Sequence, residues 1–199
     1  VNLFNSMALV FKTPVALAGI SISLTIAASN ELVNLIFGLW LYDAFELKVT
    51  GLAIASMVIG LSELSGEVLV SVVVDRIGKA RSVSIGLLLN ALAVITLPII
   101  GQSVNGALLG LFLLYLTFEF TIVSCIPLIT ELLPGARATL IANFFTSIAI
   151  GRAIGAFIAP FLYKLGFSPE AAPSLFPIAI TAALLNLFAL FMLRILKGR

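Results

Sequence analysis

Residues 49–81 read VTGLAIASMVIGLSELSGEVLVSVVVDRIGKAR, and this stretch settles what kind of protein the chain is. From 49 to 74 it is apolar except for Glu63, Glu67 and a few small polar residues; then Asp75, Arg76, Lys79 and Arg81 arrive together around Gly78. A helix rises about 1.5 Å per residue and a bilayer core is about 30 Å thick, so about 20 apolar residues cross it. The run is long enough to cross and stops where the charges begin. Its solvent is lipid.

Outward from this stretch the same pattern recurs in both directions. Apolar runs between polar punctuation predict helices at 14–42, 49–74, 82–101, 105–132, 136–165 and 173–196. Over all 199 residues the chain is 61% hydrophobic and 10% charged, where soluble domains are about half apolar and about a quarter charged. The expected fold is therefore an all-α integral membrane protein, a single six-helix domain over 1–199. The first apolar run is too long for the core of a signal peptide and has no small-residue cleavage site, so it reads as a retained helix.

Orientation follows from the basic residues. Lys12, Arg76, Lys79, Arg81, Arg137, Arg194, Lys197 and Arg199 fall at one side of the six spans, and only Lys48 and Lys164 at the other. The positive-inside rule puts the first side, with both termini, in the cytoplasm.

Composition also excludes several functions. Net charge is only +2, with no Lys/Arg stripe interleaved with aromatics, so no nucleic-acid partner is expected. Histidine is absent, and the single cysteine, Cys125, sits in an apolar run, so neither a metal site nor a disulfide is expected. No nucleophile elbow, zinc-protease signature or phosphate loop is present, which argues against an enzyme and against a bound cofactor.

Depth in the membrane can be read from position within a run. Glu31, Glu63, Glu119 and Arg152 fall near the middle of the first, second, fourth and fifth spans, and Glu67 one turn from Glu63 toward the cytoplasm. Glu31 and Glu119 are 88 residues apart, Glu63 and Arg152 are 89 apart. Two three-helix units carrying charges in register are expected, and an odd helix number inverts the second relative to the first. An ionised carboxylate at the centre of a spanning helix costs at least about 2.5–3.5 kcal/mol, so it must be protonated, paired or wetted. Glu31 and Glu119 can then exchange protons with a cavity, or serve as permanent polar contacts between helices.

Three segments carry a family resemblance. Residues 71–81, SVVVDRIGKAR, resemble the G-x-x-x-D-R-x-G-R/K-R/K turn of the major facilitator superfamily: Asp75, Arg76, Gly78 and Lys79 match, Ser71 replaces the leading Gly and Ala80 a basic residue. Residues 131–137, ELLPGAR, are similar to the superfamily's E-x-x-P-x-x-x-R stretch, one residue short, with Glu131 and Arg137 at its ends. Residues 151–160, GRAIGAFIAP, resemble the Gly-rich, Pro-terminated fifth helix of antiporters, with Ala159 in place of a Gly. The lead-in LWLYDAFELKVTGLAIASMVIG, 39–60, is more similar to a C-terminal than an N-terminal six-helix half.

The resemblance implies the rest. It makes the chain one half of a twelve-helix transporter, two inverted three-helix repeats, whose other half is a missing N-terminal half, a partner chain or a second copy. Its first and fourth helices would line the cavity, making Asn30, Glu31, Asn34, Tyr115 and Glu119 the substrate and proton candidates. Its second and fifth would pack together, pairing Arg152 with Glu63 or Glu67. Asp75, Arg76, Gly78, Lys79, Glu131 and Arg137 would form the conformational switch, with Asp75 capping the helix that starts near Ala136 of the other half. The expected function is proton-coupled export of a small organic molecule across a bacterial inner membrane; the alternative is a non-transporting scaffold of the same fold. Trp40 and Tyr42 read as interfacial anchors, and Phe118, Phe120, Phe144 and Phe145 as packing or lipid-facing groups.

Overall fold

Proline and glycine punctuate the helices. In the computed structural model, which describes residues 3–166 and 174–197, α1 (Leu3–Lys12) ends at Thr13, whose extended backbone sets Pro14 at the first turn of α2 (Pro14–Asn34). Pro is suited there because its missing N–H has no partner to lose. α3 (Phe37–Phe45) continues the first span after a break at Leu35 and Ile36, and ends at Glu46 in the left-handed region. α4 (Val49–Ile77) and α5 (Lys79–Ile100) meet at Gly78, whose φ of +89° only a residue without a Cβ adopts freely. Ser103 caps α6 (Val104–Leu132) by accepting from the Gly106 amide at 3.2 Å. A 3₁₀ turn, Pro134–Ala136, leads into α7 (Arg137–Leu165), and α8 (Phe176–Lys197) completes six membrane-length helices.

Two features differ from the sequence expectation. Residues 3–12 form a helix of their own, an amphipathic one that buries Val10 and Ser6 while exposing Phe4, Leu9 and Phe11. The first span, expected as one helix over 14–42, is broken immediately after Asn34. The expected start of the sixth helix, at 173, lies outside the described residues, among which there is no strand.

Packing obeys an internal symmetry. The first span packs on the fifth and sixth, the fourth on the second and third, the third on the sixth, and the first on the fourth. Exchanging first with fourth, second with fifth and third with sixth maps this pattern onto itself. That is the signature of two three-helix repeats, and an odd count per repeat runs the second in the opposite direction. The first and fourth spans are central, with 61% of their most apolar stretch buried; the second and fifth are peripheral, at 17% and 22%.

Glycine sets the closest approaches. A Cβ on Gly155 of α7 would lie 2.6 Å from the Ala28 carbonyl oxygen and 2.9 Å from Glu31 Cβ of α2. Its counterpart, 89 residues earlier, is Gly66 of α4, where a Cβ would lie 2.9 Å from the Leu116 carbonyl oxygen and from Glu119 Cβ of α6. Without lipid-phase hydrophobic drive, small residues of this kind are what let membrane helices touch.

The core falls into two apolar clusters, one around Ile22, Val83, Phe118 and Leu193, the other around Leu41, Leu97, Leu111 and Ile178. A buried polar layer lies between them in the sequence order of all four helices concerned. Asn90 of α5 donates to Thr117 Oγ1 (3.0 Å) and the Leu114 carbonyl (3.0 Å); Asn186 of α8 donates to Ser29 Oγ (2.8 Å) and Asn90 Oδ1 (2.9 Å). Ser29 and Thr117 are again 88 residues apart, so each repeat contributes one asparagine and one hydroxyl.

Candidate functional site at the helix midpoints

The broken first span presents Glu31 and Asn34 one turn apart, just before the break. Asn34 Nδ2 donates to Glu31 Oε1 at 3.1 Å, and its Oδ1 accepts from the Tyr115 hydroxyl of α6 at 2.8 Å. Glu31 Oε2 faces Arg152 Nε of α7 at 3.8 Å; the Glu31 side chain is 13% exposed and that of Arg152 54%. Tyr115, Asn34, Glu31 and Arg152 thus form one polar chain across the first, fourth and fifth spans. Both Glu31 oxygens have partners, which satisfies the demand that lipid depth places on a carboxylate.

Among the described residues Arg152 forms its ion pair with Glu31, where the resemblance implied Glu63 or Glu67. The reason is which helices pack. α7 lies on α2, drawn in at Gly155, and Arg152 sits one turn before that glycine, beside Glu31. α4 lies instead on α6, so Glu63, one turn before Gly66, belongs to the Glu119 side.

Glu119 has a different setting. It lines an open groove of about 260 Å³ between α6 and α7, with Phe118, Phe144, Phe145, Ile148 and Arg152. Glu63, Glu67 and Arg152 are the charged groups that act on it electrostatically, and among the described residues no hydrogen bond or ion pair holds its carboxylate. A half-buried acid with carboxylate neighbours, on the wall of an apolar groove, can bind a proton or a cation and release it as the surroundings change. The fifth cavity candidate, Asn30, is buried outside both groups, and its Oδ1 has no hydrogen-bond partner among the described residues.

The residues that the resemblance assigns to a switch sit at the basic end of the bundle. Lys79, opening α5, forms an ion pair with Glu131 at the end of α6, joining two of them within this one half. Arg76, Arg81 and Arg137 are exposed. Asp75 is exposed in the last turn of α4, with no hydrogen bond or ion pair among the described residues, and the N-terminus of α7 has no side-chain cap. At the opposite end the Tyr163 hydroxyl donates to Asp43 Oδ2 at 2.9 Å, clasping the fifth span to the first.

The aromatic expectations divide. Trp40 is 3% exposed and stacked against Gly101, where a Cβ would lie 2.9 Å from its Cη2; it is a packing residue rather than an interfacial anchor, whereas Tyr42 is exposed. Phe118 and Phe144 are buried, Phe145 is exposed, and all three border the Glu119 groove.

A family profile described as "Uncharacterised MFS-type transporter YbfB" matches residues 48–194. The chain belongs to this MFS-type transporter family. The match takes in five of the six spans, and with them the Asp75–Arg81 turn, Glu119 and Arg152. Glu31 and Asn34 precede it. No curated relative matches the chain. Six apolar helices in two repeats and this membership together make it an integral membrane protein of transporter type, with the architecture of one MFS half.

Sequence reasoning missed the Asn90–Asn186 layer and the Asn34–Tyr115 link. A signal for the first existed: Ser29 and Thr117 repeat at the spacing of Glu31 and Glu119.

Proposed function

We propose that the chain is one half of a proton-coupled exporter of small organic molecules, working by alternating access between two six-helix halves in a bacterial inner membrane, with both termini cytoplasmic. The observation that carries this is the unequal treatment of two symmetry-related acids. Glu31 is tied to Asn34 and Arg152, while Glu119 stands on a groove wall with neither hydrogen bond nor ion pair among the described residues. Polar glue would pair both. A transport site needs one group free to trade its proton for substrate, and intramembrane acids of this kind mark ion and substrate pathways.

The second half is supported by what α4 and α7 leave uncovered. Each packs chiefly on one neighbour and exposes Met57, Leu61 and Leu64, or Ile154, Phe157 and Phe161, beside the charged cavity face. Asp75, exposed at the basic end, then caps the matching helix of the other half, just as α7 of this chain, with no side-chain cap of its own, stands ready to receive the other half's acid. Rocking of the halves breaks and remakes this contact.

A single cysteine placed at Phe145 tests alternating access, since the native Cys125 is 1% exposed and gives little background. Impermeant maleimide should label position 145 from either side of the membrane, in right-side-out and in inverted vesicles. Labelling confined to one side would remove alternating access from this site.

A further inference from the structure

The groove between α6 and α7 also carries information about what it binds. We propose that it takes the aromatic or apolar body of an organic cation, with Glu119 as the counter-charge and Phe118, Phe144 and Phe145 as the wall.

Charge decides the sign of the ligand. The groups facing the groove or acting on Glu119 come from every helix around it: Glu63 and Glu67 from α4, Glu119 from α6, Arg152 from α7 and, behind Arg152, Glu31 from α2. At and around Glu119 there are thus four carboxylates to one guanidinium, and that guanidinium is already beside Glu31. An anionic ligand would meet only Arg152 and would be repelled by the rest. A cation finds in Glu119 a carboxylate that no side chain among the described residues has claimed.

Shape and polarity decide the body of the ligand. Besides Glu119 and Arg152, the described residues of the wall are all apolar, Phe118, Phe144, Phe145 and aliphatic side chains such as Ile122 and Ile148. Phe144 and Phe145 meet edge to face, their ring centroids 5.4 Å apart and their planes at 80°, so this part of the wall is aromatic. Ring faces attract a cation whose charge is spread over alkyl or aryl groups, more strongly the less water is present. A compact, strongly hydrated ion gains nothing from such a wall. The fitting class is a quaternary ammonium or N-alkylated aromatic cation. On the transport reading above, its arrival at Glu119 and the departure of the proton are one exchange, which is how inward proton flow would drive the cation out.

Three probes of nearly one shape test the class: phenyltrimethylammonium, its neutral isostere tert-butylbenzene, and benzenesulfonate. Binding is measured by calorimetry on the full-length protein in nanodiscs of zwitterionic lipid, with proton release followed in weak buffer. The cation should bind at least about tenfold more tightly than the neutral isostere, and benzenesulfonate should not bind. Glu119→Gln should remove most of this preference; Phe145→Leu, an exposed position that tolerates change, should weaken the cation a few-fold and tert-butylbenzene less, so that the cation preference narrows. Equal binding of all three probes, preference for the sulfonate, or an unaltered cation preference in Glu119→Gln would overturn the assignment. Cation binding without proton release supports the ligand class and counts against proton coupling alone.

Discussion

Gly155→Ala is the sharpest test of how the site is built. The added Cβ would sit 2.6 Å from the Ala28 carbonyl oxygen, where ordinary contact starts near 3.4 Å, so α7 must retreat by about 0.8 Å or the backbone of α2 must yield. Overpacking of this kind costs about 1–3 kcal/mol. The same retreat would stretch the Glu31–Arg152 contact, already long at 3.8 Å, beyond the reach of an ion pair. Gly60→Ala is the control, because a Cβ there meets nothing within 4 Å and only gains the helix propensity of Ala, about 1 kcal/mol. Cys125 supplies the assay: it is the single cysteine and is buried, so a thiol-reactive fluorophore reports unfolding directly. At about 2–4 °C per kcal/mol for a chain of this size, Gly155→Ala should melt several degrees below Gly60→Ala. Coincident melting curves for the two variants would show that the α2–α7 approach does not depend on Gly155, and the account of why Arg152 reaches Glu31 would fall with it.

Other perturbations follow from the remaining contacts. A double-mutant cycle on Asn90→Ala and Asn186→Ala should give a coupling energy of about 0.6 kcal/mol, the average for interhelical hydrogen bonds in membranes, and not above about 1.7 kcal/mol; strict additivity would mean the two amides do not interact. Lys79→Gln should change stability by less than about 1 kcal/mol, and less still in high salt, because the Lys79–Glu131 pair is largely exposed; a large, salt-insensitive loss in thermal melts would contradict that. Asp75→Asn should leave the melting temperature of the chain unchanged while shifting the balance of inward- and outward-facing labelling at position 145. Unchanged labelling on both sides would dissociate Asp75 from the switch.

Much of the architecture was legible because lipid imposes simple rules. Run length gives the spans, and the matched offsets of Glu31 with Glu119 and of Glu63 with Arg152 give the repeat, since depth is preserved when a unit is copied. Depth does not choose partners. Arg152, Glu31, Glu63 and Glu67 all fit one layer, and only the packing of α7 on α2 and α4 on α6, set by Gly155 and Gly66, decides that Arg152 meets Glu31. The break after Asn34 was invisible because Leu35 and Ile36 are ordinary helix residues, with neither Pro nor Gly at the break to mark it. The helix over residues 3–12 is short and amphipathic, so it carries no membrane-length signal, although Thr13–Pro14 marks its end. The groove beside Glu119 went unread because the phenylalanines at 118, 144 and 145 come from two helices and look like packing groups in each.

The most direct test of the central claim is transport driven by an imposed pH gradient. Full-length protein is reconstituted in liposomes, given a defined mixture of small organic ions, and the accumulated compounds are read by mass spectrometry, with and without Glu31→Gln and Glu119→Gln. Gradient-dependent flux of at least one compound is expected in the native protein and none in the double variant. Undiminished flux in the double variant would contradict that claim.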